Sequence, residues 1–433
     1  MTRPEPAPAP GQGASLDQWL SYLESIHPVE MDLGLDRVLL VLRRLLPGRP
    51  PARVITVAGT NGKGSTVAAL EALLLGAGET VGCYTSPHLL VYNERVRLNG
   101  QNASDEVLIR AFEKIEVARQ GVTLTYFEFG TLAAFLVMME AGVDNMVLEV
   151  GLGGRLDAVN TLDADLAIIT SVDLDHTAWL GDDRDTIGFE KAGILRPGQT
   201  AVYADLDPPP SVLQQAQAQR VRLLRPGEGY HLGRMGDRLM LDADSDHKIP
   251  LPADGLPVNS LAAAAIAAVE LGLKLTDADI GRILAEASLP GRFQTVCQSP
   301  QVFLDVGHNP HAALWLSRRL AFLRRTGRYS RVLAVYAGLS DKDSTGVARA
   351  LASTVDQWFL GSLDVPRGLS ADELEERVKT AIPAERLTRH RNVAEALDAA
   401  LENAGADGMV LVFGSFFTVA EGQRYFSGRT VNP

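Results

Sequence analysis

Residues 54–66 read VITVAGTNGKGST, and the fold turns on this stretch. Val54, Ile55, Val57 and Ala58 make a short apolar run of β type, GTNG supplies the turn, and a helical pattern starts at Lys63. Strand, glycine-rich turn and helix is the local plan of a phosphate cradle. Glycine lets the backbone approach an anion and turn its N–H groups inward, the helix N-terminus adds partial positive charge, and a lysine reaches the outer phosphates. Gly59, Thr60, Asn61, Gly62, Lys63, Gly64, Ser65 and Thr66 are therefore expected to bind a nucleoside triphosphate. The match to the generic loop is incomplete, because Val57 stands five residues before Gly62 and Gly64 follows Lys63. The generic loop places there a hydroxyl that holds Mg²⁺. Either another group supplies that ligand or Ser65 does so from a shifted position. The competing reading is an ordinary βα turn whose glycines serve tight packing.

A chain of 433 residues exceeds what a single core usually supports, so two domains are expected. The formal net charge of −12 argues against a general nucleic-acid or acidic-membrane binder, which needs a basic footprint. The two cysteines, Cys83 and Cys297, suggest neither a metal knuckle nor a secreted disulfide framework. The Pro, Ala and Gly-rich start, residues 1–14, reads as a flexible tail without the apolar core of a signal peptide. No apolar run is long enough to span a bilayer, and a cytoplasmic location is expected.

Outward from the loop, residues 80–84 read as a strand that runs into TSPHLLVYNERVRLNG, an irregular segment at the edge where open α/β sheets bind ligands. Ser86 is the first candidate for the missing hydroxyl ligand; the alternative is a solvated loop serine. Glu149 ends the strand at 143–150, a position that suits a Mg²⁺ ligand bridging nucleotide and substrate. His176 follows the next strand end, 166–171, and its metal reading competes with a satisfied structural histidine. In the loop GLGGRLDAVN, Arg155 and Asp157 are candidates to hold polar groups of a substrate. Phe127 and Phe129 beside Glu128 suit stacking on a flat ring or plain core packing. Asp32 reads as a helix cap or a ligand, and Lys191 as a surface helix residue. Residues 202–250 alternate short strands with turns, a surface elaboration. Pro290 and Gly291 mark a boundary, giving domains at 15–288 and 297–433 with a linker at 289–296. Apolar strand runs in the second domain suit a mainly parallel sheet covered on both faces, with Asp305, His308 and Ser415 at ligand-binding strand ends.

GTNGKGST, TSPHL, NERVRLNG, TYFEFGT, EVGLGGRLDAVN, SVDLDHTAWLG, EKAGI, LPGRFQ, DVGHNP and FGSFFTV occur in this order along nearly the whole chain. The ordered set resembles the folylpolyglutamate synthase and dihydrofolate synthase family, within the ATP-dependent amide ligases that include the Mur peptidoglycan ligases. The resemblance implies an α/β chain with an N-terminal P-loop ATPase-type domain on a mostly parallel sheet and a smaller C-terminal Rossmann-like domain. It implies a ligase that adds L-glutamate to 7,8-dihydropteroate and to tetrahydrofolate through an acyl phosphate, and a monomer. By position it implies Ser86, Glu149 and His176 as Mg²⁺ ligands, with two ions in all. Lys191 matches a lysine that takes up carbon dioxide as a carbamate and assists the second ion. Asn259, Arg292 and Asp305 match ATP contacts. Asp32, Leu33, Gly34, Thr125, Phe127, Gly154, Arg155, Leu156 and Asp157 fall in the pteroate pocket. His308, with Asp305, and Ser415 fall where glutamate is expected. Lys63, Lys191, Asp305 and His308 are the implied catalytic set.

Two other functions compete. A Mur-type ligase acting on a UDP-linked muramic acid shares the ATP chemistry, but should lack TYFEFGT and EVGLGGRLDAVN and carry a separate N-terminal UDP-binding domain, for which the stretch before Val54 is too short. A nucleotide-dependent switch or binding protein would hold the nucleotide tightly and form no acyl phosphate.

Overall fold

The computed structural model describes residues 8–11, 13–29, 32–46, 48–236, 238–243, 246–327 and 329–428. Part of the expected tail, residues 1–7 and 12, lies outside them. Contacts divide the chain into two units, Met1–Ala287 and Ser288–Pro433.

The first unit opens with helices α1 (Leu16–Ser25) and α2 (Asp36–Leu45), then strand β1 (Arg53–Ala58), helix α3 (Lys63–Gly76) and strands β2 (Val81–Tyr84), β3 (Val96–Leu98) and β4 (Gln101–Asn102). Helices α4 (Asp105–Arg119) and α5 (Tyr126–Ala141) precede β5 (Asn145–Glu149), β6 (Leu166–Ile169), α6 (Thr177–Leu180), α7 (Arg184–Ala192), β7 (Thr200–Tyr203) and α8 (Pro210–Ala218). The unit closes with β8 (Arg222–Pro226), β9 (Gly229–Met235), β10 (Arg238–Ala243), β11 (His247–Leu251), α9 (Val258–Glu270) and α10 (Asp277–Glu286). One 11-stranded sheet runs β11-β10-β9-β8-β7-β6-β1-β5-β2-β3-β4. Its centre, from β8 to β2, is parallel, and both edges finish in antiparallel ribbons. Residues 202–250 are thus more than a surface elaboration of strands: they include α8, which starts with Pro at the position where its missing N–H costs nothing, and they extend the same sheet.

The parallel centre is apolar on both faces because helices cover both. Val54 and Ala58 of β1 join a core with Trp19, Phe112, Phe129 and Phe135, while the alternation along the strand turns Ile55 and Val57 to the opposite face. There α3 packs under α9 and α10. Phe129 is therefore a core residue, not a stacking platform. Among the described residues no helix is long and apolar enough to cross a membrane.

The second unit holds β12 (Gln294–Gln298), β13 (Gln301–Asp305), α11 (Pro310–Arg325), β14 (Arg331–Tyr336), α12 (Ser344–Leu351), β15 (Gln357–Gly361), α13 (Ala371–Val378), β16 (Leu387–His390), α14 (Val393–Ala404), β17 (Gly408–Phe413) and α15 (Phe416–Gly428). Its sheet runs β12-β13-β17-β14-β15-β16, parallel except for β12 at the edge. The end of the expected linker, from Gln294 on, is therefore part of a strand that pairs with β13.

Candidate active site

The loop after β1 is held open against the loop after β6. The Thr60 N–H donates to Ser171 O at 2.8 Å, the Asn61 N–H to Ser171 Oγ at 3.1 Å, and Thr170 Oγ1 to Asn61 O at 2.6 Å. Thr60 Oγ1 donates to Asp173 O at 3.1 Å. The contact is so close that a Cβ on Gly59, whose φ is +148°, would lie 1.8 Å from Thr170 Oγ1. Lys63 is the first residue of α3, and its Nζ donates back to Gly59 O at 3.0 Å and Thr60 O at 3.4 Å, so the ammonium sits over the cradle. Thr66 Oγ1 donates to Gly62 O at 2.9 Å, and Ser260 Oγ on α9 donates to the same carbonyl at 3.2 Å. That bond brings Asn259, at the second position of α9, beside the phosphate loop.

Glu149 is the last residue of β5, buried, and in register with Val57 of β1 just before the loop. Ser86 lies two residues past β2, the neighbouring strand, and its N–H donates to Glu149 Oε2 at 3.3 Å. His176 precedes α6 with φ +52°, in the left-handed region that non-glycine residues seldom enter, and its ring is partly exposed. Among the described residues, no three His, Cys, Asp or Glu side chains group to hold an ion. The donor set here is of another kind, hydroxyl plus carboxylate. Ser65 Oγ is buried without a hydrogen-bond partner among the described residues, in the first turn of α3 behind Lys63. A buried orphan hydroxyl, with the Ser86 hydroxyl and the Glu149 carboxylate, fits an oxygen-seeking ion such as Mg²⁺.

Lys191 is not a surface residue. It is 3% exposed on α7, and burial, reinforced by the neighbouring Lys63 charge, pulls its ammonium down to about 7, against the opposing pull of Asp175 and Asp157. The loop GLGGRLDAVN explains the burial. Gly154 lies so close to the end of α7 that a Cβ would meet Glu190 O at 2.8 Å. Arg155 pairs with Glu190 at 2.8 Å, and Asn160 Nδ2 donates to Gly193 O at 3.0 Å. The loop wraps the helix end that carries Lys191. Asp157, expected to meet substrate, is buried with its oxygens accepting the N–H groups of Leu152 and Val159, both at 2.9 Å, and burial raises its carboxyl to about 6. It anchors the loop. Leu156 beside it is half-buried.

Asp32 is not a helix cap. Its carboxylate pairs with Arg37 Nη1 at 2.5 Å, and Arg37 Nη2 reaches Glu128 Oε1 at 2.8 Å. The cap position of α2 is Leu35, which makes no side-chain bond. Leu33 and Gly34 fill the turn between, and a Cβ on Gly34 would meet open space. Thr125 and Glu128 form a capping box at the start of α5: Glu128 Oε2 accepts the Thr125 N–H at 2.7 Å, and Thr125 Oγ1 the Glu128 N–H at 3.2 Å. The Phe127 ring stands 5.9 Å from that of Tyr84. One chain of polar contacts, Asp32 to Arg37 to Glu128 to Thr125, thus joins two stretches far apart in sequence, a link that no local motif announces.

In the second unit, Asp305 ends β13, buried, with Oδ2 accepting the Phe293 N–H at 2.8 Å and Oδ1 that of Gly307 at 2.7 Å. Burial raises its carboxyl, with Arg292 and His308 pulling the other way. The Arg292 guanidinium lies 5.1 Å from the Phe416 ring centre. His308 Nδ1 is 2.9 Å from Val306 O, a carbonyl that only accepts, so Nδ1 carries a proton and donates it to that carbonyl. Ser415 caps α15: its Oγ accepts the Thr418 N–H at 3.0 Å, and since Thr418 Oγ1 donates to Ala337 O, the Ser415 hydroxyl is the donor in their 2.7 Å contact.

Residues 57–267 match the Mur ligase middle domain, and residues 291–416 the Mur ligase glutamate ligase domain. The chain is 45% identical over 413 residues to a dihydrofolate synthase/folylpolyglutamate synthase of Escherichia coli, covering 95% of each sequence. The chain belongs to the dihydrofolate synthase/folylpolyglutamate synthase family. Solved structures of this family overlay on it closely. E. coli FolC in complex with DHPP and ADP matches with a TM-score of 0.91 at 43% identity, covering 97% of this chain and 99% of that one. A bifunctional folylpolyglutamate synthase/dihydrofolate synthase with Mn, AMPPNP and L-glutamate bound matches with a TM-score of 0.88 at 42% identity, covering 97% and 100%. The two-domain α/β architecture of the family is the one found here.

Proposed function

We propose that this chain is an ATP-dependent ligase that joins L-glutamate to 7,8-dihydropteroate and extends tetrahydrofolate in the same way, through an acyl phosphate. The observation that carries the reading is the phosphate cradle of residues 59–66 beside the buried, strand-end Glu149, in a chain 45% identical along nearly its whole length to an enzyme named for both activities. The named relatives are folate enzymes rather than peptidoglycan ligases, which disfavours the Mur-type alternative.

A carboxylate is a poor acylating agent. Its oxygen attacks the γ-phosphorus of ATP, the bond to the β-phosphate oxygen breaks, and ADP leaves behind an acyl phosphate. The amine of glutamate then adds to the acyl carbon, and phosphate departs with the oxygen that came from the carboxylate. Residues 59–66 cradle the triphosphate, Lys63 meets its outer charge, and Asn259, Arg292 and Asp305 contact the nucleotide. Ser65, Ser86, Glu149 and His176 would hold Mg²⁺, which spreads the charge of the transferring phosphoryl group. Lys191, neutral in good part near pH 7, adds its amine to carbon dioxide with loss of a proton, and the carbamate would serve a second Mg²⁺. Asp32, Leu33, Gly34, Thr125 and Phe127, with the backbone of Gly154, Arg155 and Leu156, form the pteroate pocket. His308, held by its Nδ1 contact with Val306 O, takes the proton of the attacking amine, and Ser415 shapes the glutamate site through the start of α15. The enzyme works as a cytoplasmic monomer without nucleic-acid or membrane partners.

The test is ADP release in the presence of glutamate with dihydropteroate or with tetrahydrofolate. Glutamate-dependent turnover with each is expected. Tight nucleotide binding without such turnover on either acceptor would overturn the reading in favour of a nucleotide switch.

A further inference from the structure

Arg95 occupies an unusual position for a partly buried arginine. Its Cζ lies 5.5 Å from the ring centres of both Tyr92 and Tyr126, and its Nε donates to His88 Nδ1 at 2.9 Å. An arginine has no acceptor, so Nδ1 of His88 carries a lone pair and the partner is a neutral ring. Other partly buried arginines of this unit face carboxylates: Arg97 meets Glu71 at 2.7 Å, Arg37 meets Asp32 and Glu128, and Arg119 meets Glu116. Among the described residues no carboxylate pairs with Arg95. Its chain neighbour Glu94 is turned away, with its oxygens accepting the N–H groups of Leu89, Leu90 and Val91 at 2.6 to 2.9 Å. A partly buried guanidinium held by two aromatic faces and one neutral acceptor is ready for a bidentate anion, the geometry it matches best.

The place of Arg95 says which anion. One of its rings is Tyr126, between Thr125 and Phe127 of the pteroate pocket, and its hydrogen-bond partner His88 lies two residues past Ser86 at the metal end. It therefore stands between the ring-binding stretch and the reacting end. Dihydropteroate brings a single carboxylate, and that one must go to the phosphoryl group. A folate that already carries glutamate brings a second, unreactive carboxylate.

We propose that Arg95 binds this unreactive carboxylate and so serves the tetrahydrofolate reaction selectively, an inference that rests on the ligase reading above. The Tyr92 and Tyr126 faces hold the guanidinium in plane, and His88 fixes its rotation, so the fork is set before substrate arrives.

The test compares Arg95→Met and Arg95→Lys with the unaltered enzyme on both acceptors. Charge-assisted bidentate pairs imply a KM for tetrahydrofolate raised roughly 10- to 100-fold in Arg95→Met, a partial recovery in Arg95→Lys, and a KM for dihydropteroate within about threefold of the original. Equal losses on both acceptors, or no change with tetrahydrofolate, would overturn the proposal. The unaltered enzyme provides a second arm that needs no substitution: a tetrahydrofolate analogue with its unreactive carboxylate converted to the amide should show the same rise in KM. An amide that performs like the acid would also overturn it. Activity of the unaltered enzyme on dihydropteroate separates these results from a failure of the ligase reading itself.

Discussion

The Ser86 backbone N–H donates to Oε2 of Glu149 at 3.3 Å, tying the loop after β2 to the carboxylate that ends β5. Both strands are parallel neighbours, so their ends open on the same edge of the sheet as the phosphate loop after β1. This bond aims the Ser86 loop and the carboxylate at one point. Glu149→Gln keeps the volume and one acceptor oxygen but removes the charge. It should lower kcat roughly 100-fold or more and raise the Mg²⁺ concentration needed for half-maximal rate, with little change in melting temperature. Steady-state rates across a Mg²⁺ series check it, and an unchanged Mg²⁺ requirement would remove Glu149 from the metal site.

Gly59 carries the conformational demand of the loop. Its φ is +148° and a Cβ there would lie 1.8 Å from Thr170 Oγ1, so Gly59→Ala cannot be accommodated without moving the loop after β6. A loss of about 1–3 kcal/mol in stability is expected, with a larger proportional loss in ATP affinity. Thermal melts with and without nucleotide separate the two effects. Nucleotide binding at full strength would show that the loop is looser than its contacts with Thr170 and Ser171 require.

Lys191 links burial to pH. Its ammonium is pulled from an ordinary 10.5 to about 7, so between those values the unfolded chain binds the proton and the folded chain does not. Stability from this group therefore rises with pH from about 7 to about 10.5, and below 7 the folded state bears the full cost of the buried charge. Lys191→Met should flatten that part of the stability profile, measured by denaturant midpoints across pH. Under bicarbonate, the unaltered protein should gain the mass of one carbon dioxide under native mass measurement, and Lys191→Met should not.

How much of the molecule is legible in the sequence depends on how local each signal is. The cradle at 59–66 and the strand-end placement of Glu149 follow from short apolar runs and adjacent glycines, and the structure has both in place. The burial of Lys191 is not legible, because α7 by itself has an ordinary amphipathic pattern; the loop 151–160 that covers it comes from another part of the chain. Asp32 resembles a cap for the same reason: Arg37 and Glu128, which form its polar chain, belong to two different helices. Asp157 looks like a substrate ligand because a loop carboxylate gives no sign of how many backbone N–H groups will surround it. The strands Gln294–Gln298 and Leu387–His390 leave little trace in the sequence, since edge strands are half solvated and lack the continuous apolar run of central ones.

The central claim is that ATP activates a carboxylate, and the oxygen atoms record it. Dihydropteroate labelled with ¹⁸O in its carboxylate, incubated with the enzyme, ATP, Mg²⁺ and glutamate, should release inorganic phosphate carrying one labelled oxygen per amide formed, as read by mass spectrometry. Amide formation with unlabelled phosphate would contradict the acyl phosphate and the site built around it.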